Sequence, residues 1–272
     1  MPDITIALAN GRRITFPIQE HGPGPHFLLG VRKSGSSILN NICRALAQPA
    51  GRNFVSIGDT FFGENVVTGD WVSDPALRQL IRPGNIYGGF RDMPLALQGH
   101  PAFDSAPKLL MVRDPRDALV SEYFSNAFSH SIPDISDESD AVASQMLEKR
   151  QQALAQHIGT YVLEMAAAMN DTMVQYAALA AQPQTLVLKY EDMIFDKPAL
   201  LAHLGQQFEL PVRPAHAAQI LGWADKRPLV EDPHAFIRKV SPGDHREKLD
   251  ASTISRLNAL LRPAMSLFGY RG

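Results

Sequence analysis

A polar turn flanked by glycines, between an apolar run and a predicted helix, holds the residues whose spacing best suits chemistry. Gly30 and Gly35 enclose four residues in the G-x-x-x-x-G spacing of a phosphate-binding loop. The helix predicted over residues 35–47 would direct its unpaired N–H groups at phosphate oxygens. Ser36 stands where nucleotide kinases place a lysine, whereas Lys33 lies inside the loop. The loop therefore fits a nucleotide but not ordinary ATP chemistry.

A second candidate phosphate site lies roughly eighty residues further along the chain. The apolar run 109–112 ends in Arg113, and Pro115 is typical of a helix start. Ser121 falls about two turns into that helix. A guanidinium can fork onto two phosphate oxygens while a hydroxyl supplies another donor, so Arg113 and Ser121 form a reasonable phosphate clamp. A solvent-facing arginine with a mid-helix serine is the alternative.

Four segments together resemble a known enzyme family. Residues 32–37 (Arg-Lys-Ser-Gly-Ser-Ser) are similar to the 5′-phosphosulfate loop of sulfotransferases that use 3′-phosphoadenosine 5′-phosphosulfate (PAPS). Residues 112–117 resemble their 3′-phosphate motif. Residues 236–244 resemble the family's Arg-Lys-Gly then Gly-Asp segment, which closes over the 3′-phosphate, and residues 189–193 its Tyr-Glu-Asp-Met segment. The matches extend from residue 27 to about residue 250.

The resemblance implies a donor site, with PAPS as the donor, adenosine 3′,5′-bisphosphate (PAP) as the product and no metal. It assigns Lys33 to balancing charge on the bridging and leaving oxygens, while Ser36 and Ser37 bind the 5′-phosphate. For Arg238 and Lys239, a solvated surface pair is the alternative. The complete set of implied donor-binding residues is Arg32, Lys33, Ser34, Gly35, Ser36, Ser37, Arg113, Ser121, Tyr190, Trp223, Arg238 and Lys239.

Three positions in the donor-binding segments depart from the family pattern. Ile38 stands where many members carry a tryptophan that helps to hold adenine, so the base must be bound from elsewhere. Trp223 falls where cytosolic members have a phenylalanine packed on the base, and Tyr190 would add a contact; core packing is the alternative for both. Val240 replaces the glycine of Arg-Lys-Gly and removes backbone freedom that a main-chain contact to the phosphate would use.

The general base, which removes the proton from the attacking hydroxyl or amine, is predicted from spacing. Cytosolic relatives place a histidine about twenty residues ahead of the 3′-phosphate arginine, and here Asp92 lies 21 residues before Arg113. A carboxylate can accept a hydroxyl proton when burial and a neighbouring anion favour its protonated form. His100 and Glu64 are the rival candidates. In a third interpretation Asp92 is a turn residue or the partner of Arg91.

The elements that must position these residues alternate between strands and helices. Alternating apolar residues over 4–18 surround Asn10-Gly11, which predicts a β-hairpin. We expect a three-layer α/β fold of the P-loop type, with a central parallel sheet flanked by helices and this hairpin at the N-terminus. The strands of the central sheet are predicted from short apolar runs at residues 27–31, 85–90, 109–113 and 185–188.

Composition limits the classes of protein further. A chain of 272 residues with 45% hydrophobic content can bury one α/β core, so we expect a single sulfotransferase domain over 1–272 with residues 1–20 as a hairpin extension. A net charge of -2 provides no global field for nucleic acid or an anionic membrane. Cys43 is the only cysteine, which excludes an internal disulfide. Without a leader or a membrane-spanning run, we expect a cytoplasmic protein.

We therefore expect transfer of a sulfuryl group from PAPS to a hydroxyl or amine of a small molecule, lipid or saccharide. A P-loop kinase for small molecules or nucleotides is a second hypothesis, opposed by Ser36 and by Arg113 where a Walker-B acid would stand. A non-catalytic nucleotide-binding scaffold is a third, supported by Asp92 in the histidine position. Residues 129–140 are polar and acidic, as in a solvated connector or a lid over the acceptor. The acceptor and the oligomeric state are not predicted.

Overall fold

A five-stranded parallel β-sheet is the centre of the fold. The computed structural model describes residues 2–133 and 140–272. The central strands lie in the order β4-β5-β3-β6-β7, and β1 and β2 form a separate antiparallel pair. The strands are β1 (Asp3–Ala7), β2 (Arg13–Pro17), β3 (His26–Gly30), β4 (Asn53–Ser56), β5 (Asn85–Phe90), β6 (Lys108–Val112) and β7 (Thr185–Lys189).

Helices connect the strands and follow the last of them. They are α1 (Ser36–Ala47), α2 (Ile57–Gly63), α3 (Thr68–Trp71), α4 (Pro101–Ser105), α5 (Pro115–Phe124), α6 (Ala141–Leu154), α7 (Ile158–Ala180), α8 (Tyr190–Met193), α9 (Lys197–Gln207), α10 (Pro214–Ala224), α11 (His245–Lys248), α12 (Ala251–Leu260) and α13 (Arg262–Leu267). A π-helical turn, Ser125–Ser129, continues α5. Across the described ranges, no helix is both long and apolar enough to cross a membrane.

The sheet separates two apolar clusters, which makes the three predicted layers. Successive side chains of a strand point to opposite faces. In β6, Leu109 and Met111 pack with apolar residues of α1, α9 and α10. Leu110 and Val112 pack on the other face with α5, α7 and α12. Because both faces are covered, every residue of β6 is buried. The predicted α/β fold is confirmed.

The parallel register brings the predicted functional segments to one edge. Gly30 at the end of β3 pairs with Met111 near the end of β6, so the loop after β3 and the segment after β6 leave the sheet side by side. Leu29 pairs with Phe90, the last residue of β5. The carboxyl ends of the three strands therefore meet at one edge, which is where open α/β sheets bind ligands.

The predicted hairpin is confirmed, and it packs on the core. Gly11 has a φ of 84°, as the turn requires. Ile6, Ile14 and Phe16 alternate with exposed residues and are buried, and the Phe16 ring meets Phe61 of α2 at 5.3 Å between centroids. The hairpin therefore covers apolar surface at one side of the sheet.

One strand, β4, was absent from the sequence prediction. It has only four residues, and Asn53 and Phe54 are half-buried because the strand forms the edge of the sheet. A run this short carries no clear periodicity. Of the predicted loop 129–140, residues 134–139 lie outside the described residues.

A buried arginine organises the opposite, amino edge of the sheet. Arg52 donates to the carbonyl oxygen of Gly24 at 2.9 Å and contacts His26 Nδ1 at 2.8 Å, and both side chains are buried. Burial and the adjacent guanidinium lower the pKa of His26 to about 4. The imidazole is therefore neutral in the folded protein at pH 7.

We predict that His26 makes the fold sensitive to acid. The pKa of His26 falls from 6.5 in the unfolded chain to about 4 in the folded protein. The contribution of His26 to the free energy of unfolding is therefore complete above pH 6.5 and is lost as the pH falls toward 4. We expect about 3 kcal/mol of unfolding free energy to be lost over this interval. Urea unfolding of wild type and His26→Gln at several pH values measures it. An equally steep loss in His26→Gln would contradict the prediction, and His203→Gln controls for removing a histidine.

Candidate active site

A tight turn at the carboxyl end of β3 forms the loop. The Val31 N–H donates to the Met111 carbonyl oxygen at 3.0 Å, which anchors the loop to β6. Ser34 closes the turn, because its N–H and its hydroxyl both donate to the Val31 carbonyl oxygen, at 3.1 and 2.6 Å. The Ser34 side chain is fully buried. Its hydroxyl thus stabilises the loop conformation itself.

Two left-handed residues shape the remainder of the loop. Lys33 has a φ of 64° and Gly35 a φ of 82°. Such residues turn successive N–H groups toward one side and form a concave anion site. Ser36 and Ser37 open α1, whose first turn holds no acidic residue. The helix N-terminus adds partial positive charge, so the loop is suited to a phosphate or sulfate.

Arg113 and Tyr190 pack against this loop. The Arg113 guanidinium donates to the Lys33 carbonyl oxygen at 3.0 Å and lies 4.3 Å from the centroid of the Tyr190 ring. A Cβ on Gly35 would come within 3.1 Å of the same ring. The structure therefore brings together three of the segments that resemble the family, residues 32–37, 112–117 and 189–193. One face of Tyr190 is occupied by Arg113, which leaves less of the ring for a nucleotide base.

Unsatisfied positive charge makes this region suited to an anion. Arg113 is buried, and its Nε has no hydrogen-bond partner within the described part of the chain. A buried donor without a partner costs about 1–3 kcal/mol, which a bound phosphate oxygen would recover. Burial and the charges of Arg113, Arg91 and Arg238 lower the pKa of Lys33 to about 8, against the opposite effect of Glu122. An incoming anion would relieve this repulsion between cations.

Asp117 connects α5 to the C-terminal segment, and the sequence interpretation assigned it no role. Its carboxylate accepts from the Gly243 N–H at 2.6 Å, from the His245 N–H at 2.9 Å and meets His245 Nδ1 at 2.5 Å. Burial alone would raise the pKa of Asp117, but these hydrogen bonds and the charge of Arg113 lower it to about 2. Asp117 thus holds segment 236–244 beside segment 112–117.

Arg238 and Lys239, the two basic residues of segment 236–244, already have carboxylate partners. Arg238 is buried, pairs with Asp244 and Glu231, and lies 4.2 Å from the centroid of the Phe124 ring. Lys239 Nζ lies 3.1 Å from Asp244 Oδ1 and also pairs with Glu247. Arg238 is close enough to the loop for its charge to act on Lys33. A phosphate bound there would share Arg238 with its carboxylate partners.

A second group of charges follows β5. Arg32 of the loop lies between two carboxylates, with its Nε 3.4 Å from Asp92 Oδ1 and its Nη1 3.5 Å from Glu122 Oε1. Arg91 instead pairs with Asp59 at 3.1 Å, so the predicted Arg91–Asp92 pairing is not the one observed. Glu122 is buried and follows Ser121 on α5. Sequence reasoning missed it because a single helical glutamate carries no motif.

His130 is a further neighbour of the loop that sequence reasoning missed. It ends the π-helical turn after α5, and its carbonyl oxygen accepts a hydrogen bond from Arg150 of α6. Burial and the charges of Lys33, Arg91, Arg150 and Lys149 lower the pKa of His130 to about 4. A neutral imidazole is therefore present near Lys33 at pH 7.

Three predicted residues lie away from the loop. His100 precedes α4, and Phe103 of that helix packs on Phe27 near the amino end of β3. Glu64 is exposed, and its carbonyl oxygen accepts from Arg12 beside the hairpin.

Trp223 is the third of these residues. It is 37% exposed and lines a groove with Ala45, Gln48 and Pro49 at the far end of α1. Ala45 lies about 12 Å of helix beyond Ser37. The adenine-binding role of Trp223 stays a prediction that its position does not favour. Among residues 2–133 and 140–272, no three His, Cys, Asp or Glu side chains are grouped to hold a metal ion.

Comparisons with known proteins identify the family and support the fold. A family model described as "Sulfotransferase domain" matches residues 23–269. The structure of mouse sulfotransferase SULT7A1 complexed with PAP is similar, with a TM-score of 0.56 and 15% identity over 90% of this chain and 85% of the mouse chain. Retinol dehydratase in complex with retinol and PAP has a TM-score of 0.48 and 14% identity, over 97% of this chain and 90% of that one. No curated protein sequence matches the chain.

We predict that the close approach of the Tyr190 ring requires glycine at position 35. Gly35→Ala imposes a φ of 82° on alanine and places a methyl group 3.1 Å from the Tyr190 ring, so we expect a loss of about 2–4 kcal/mol in unfolding free energy. Gly51→Ala is the matched control, because Gly51 has a φ of 66° and open space around it. It should cost only about 1–2 kcal/mol. Equal losses in urea unfolding would show that the Tyr190 ring adds no steric cost to the substitution.

Proposed function

We propose that this chain, which belongs to the sulfotransferase domain family, transfers the sulfuryl group of PAPS to a hydroxyl or amine acceptor. The observation that carries the proposal is a group of three cations at the loop after β3. Arg113 donates to the carbonyl oxygen of Lys33 in that loop, and the charge of Arg238 also acts on Lys33. PAPS carries a 5′-phosphosulfate and a 3′-phosphate, which are two separate anionic groups. The loop with α1 suits the first of these groups, and Arg113 with Ser121 and Arg238 suits the second.

The reaction forms one bond to sulfur and breaks another. The acceptor oxygen or nitrogen attacks sulfur, and the bond between sulfur and the bridging oxygen breaks. PAP departs with the bonding electron pair, and the acceptor's proton passes to a base. Lys33 is the residue we assign to the negative charge that develops on the leaving oxygen. We assign the base to Asp92, because it follows β5 at the same edge of the sheet and pairs with the residue before Lys33.

The acceptor is proposed only by class: a small molecule, lipid or saccharide. Aromatic rings of Tyr123, Phe124 and Phe128 cluster after Ser121, at centroid distances of 5.4 to 6.3 Å, and Phe128 also contacts His234. Such a cluster beside charged groups suits a substrate with an apolar body and a polar reacting end. A cytoplasmic location is part of the proposal.

Binding of PAP tests the proposed function directly. We expect metal-free calorimetric binding of PAP that weakens at least 30-fold in Arg113→Ala, because one phosphate loses a bidentate partner. Adenosine 5′-monophosphate, which lacks the 3′-phosphate, should bind at least 30-fold more weakly to the wild type. Preference for magnesium ATP would support the kinase hypothesis instead. Tight PAP binding without release of PAP from PAPS, in the presence of a panel of phenols, sugars and amines, would support the scaffold.

We also predict that Lys33 takes up a proton when PAP binds. Its pKa of about 8 leaves it about half protonated at pH 8, and a bound phosphate raises that pKa by favouring the charged form. Calorimetry in buffers of different ionisation enthalpy should therefore register uptake of about half a proton at pH 8 and little at pH 6.5. Lys33→Arg stays charged and should abolish this uptake. The same uptake in Lys33→Arg would assign the proton to another group.

A further inference from the structure

Arg32 lies next to Lys33 in the loop, yet its guanidinium contacts different groups. Its Nε is 3.4 Å from Asp92 and its Nη1 3.5 Å from Glu122. Arg113 takes the other side, where it donates to the Lys33 carbonyl oxygen. The two arginines therefore belong to two different parts of the site.

The electrostatics of Arg32 agree with this division. Burial lowers the pKa of a guanidinium, but the carboxylates of Asp92 and Glu122 outweigh burial and raise the pKa of Arg32. Its charge is thus compensated by two anions before any donor binds. Among the described residues, the Nε atoms of Arg32 and of Arg113 are both buried without a hydrogen-bond partner. What distinguishes Arg32 is therefore its pair of carboxylate partners, Asp92 and Glu122.

Helix α5 explains how Glu122 reaches Arg32. Ser121 and Glu122 are adjacent, so their side chains leave the helix about 100° apart. Glu122 is buried, and Arg32 is its ion-pair partner among the described residues. A buried carboxylate retained beside the reaction site needs this cation. Because the Arg32 guanidinium also pairs with Glu122, it does not pair with Asp92 alone.

We infer that Arg32 is a positioning residue that holds the Asp92 carboxylate toward the acceptor, with Glu122 as its anchor, and that it is not a ligand of the donor phosphates. The inference rests on the proposed function, because it takes Asp92 as the base. When the acceptor's O–H or N–H bond to hydrogen breaks, the proton passes to Asp92 and the electron pair remains on the attacking atom. Arg32 keeps its own proton throughout.

Other charged or titratable groups also face this cluster. Lys149 of α6 interacts with Arg32, Asp92 and Glu122. Tyr176 of α7 interacts with Arg32 and Asp92, and Tyr161 of α7 with Arg32 and Glu122. These groups remain unchanged in the variants below, so they are common to every pH profile.

Binding of PAP separates the two possible roles of Arg32. We expect the Kd of PAP in Arg32→Gln and Glu122→Gln to stay within about threefold of wild type, because neither side chain holds a phosphate. Arg113→Gln, the positive control, should weaken binding at least 30-fold. Arg44→Gln, on the exposed side of α1, controls for loss of surface charge. A loss in Arg32→Gln as large as in Arg113→Gln would overturn the inference.

The pH profile tests the positioning role. Conversion of PAPS to PAP with water as acceptor provides a rate for each variant without knowledge of the natural acceptor. Arg32→Gln removes the cation beside Asp92, so the acid limb of the rate should move up by about one pH unit. Glu122→Gln removes a neighbouring negative charge, so the same limb should move down. A general structural defect would lower the rate at every pH and leave the limb in place.

The outcomes also separate this inference from the proposed function. If wild type does not bind PAP, the proposed function fails. If PAP binds but Asp92→Asn keeps the wild-type rate and pH profile, the base assignment and the positioning role both fail. Should Arg32→Gln not fold, Glu122→Gln decides alone, because an unmoved acid limb in that variant contradicts the inference.

Discussion

The contact of Arg113 with the loop is the interaction on which the site depends. The guanidinium reaches the Lys33 carbonyl oxygen while it stacks on Tyr190, and the Tyr190 ring lies against Gly35. This packing is possible because β3 and β6 are adjacent and parallel, so both strands end at the same edge. It fixes a left-handed lysine, a conformation that costs about 1–2 kcal/mol in isolation. The loop is therefore held in shape by its neighbours before a ligand arrives.

Carboxylates next to the cations reduce the repulsion among the positive charges at this edge of the sheet. Arg238 and Lys239 are neutralised by Asp244 and other carboxylates. Asp117 holds the backbone of that segment through Gly243 and His245. Without these anions the cations would repel one another strongly at this partly buried edge. A phosphate that enters competes for cations already in position, which is a form of preorganisation.

Under the proposed function, helix α5 lies between the donor-binding residues and the residues assigned to the acceptor. Asp117 accepts a hydrogen bond from the Gly243 N–H of the segment that carries Arg238, whereas Glu122 of the same helix pairs with Arg32. His130, neutral because burial and nearby cations lower its pKa to about 4, follows the same helix. In the proposed reaction this one helix would fix the distance between donor and acceptor, as efficient group transfer requires.

Local patterns determined much of this protein. Apolar runs and turn residues predicted β3, β5, β6, β7 and the hairpin, because strand periodicity and glycine or proline turns are local properties. The loop and Arg113 were likewise recognisable from spacing. Only the tertiary structure decided what each charge contacts, since such pairs join residues far apart in sequence. Arg32 with Glu122 and Asp117 with His245 are examples. Trp223 shows the same limit, because its distance from the loop depends on how α10 packs on α1.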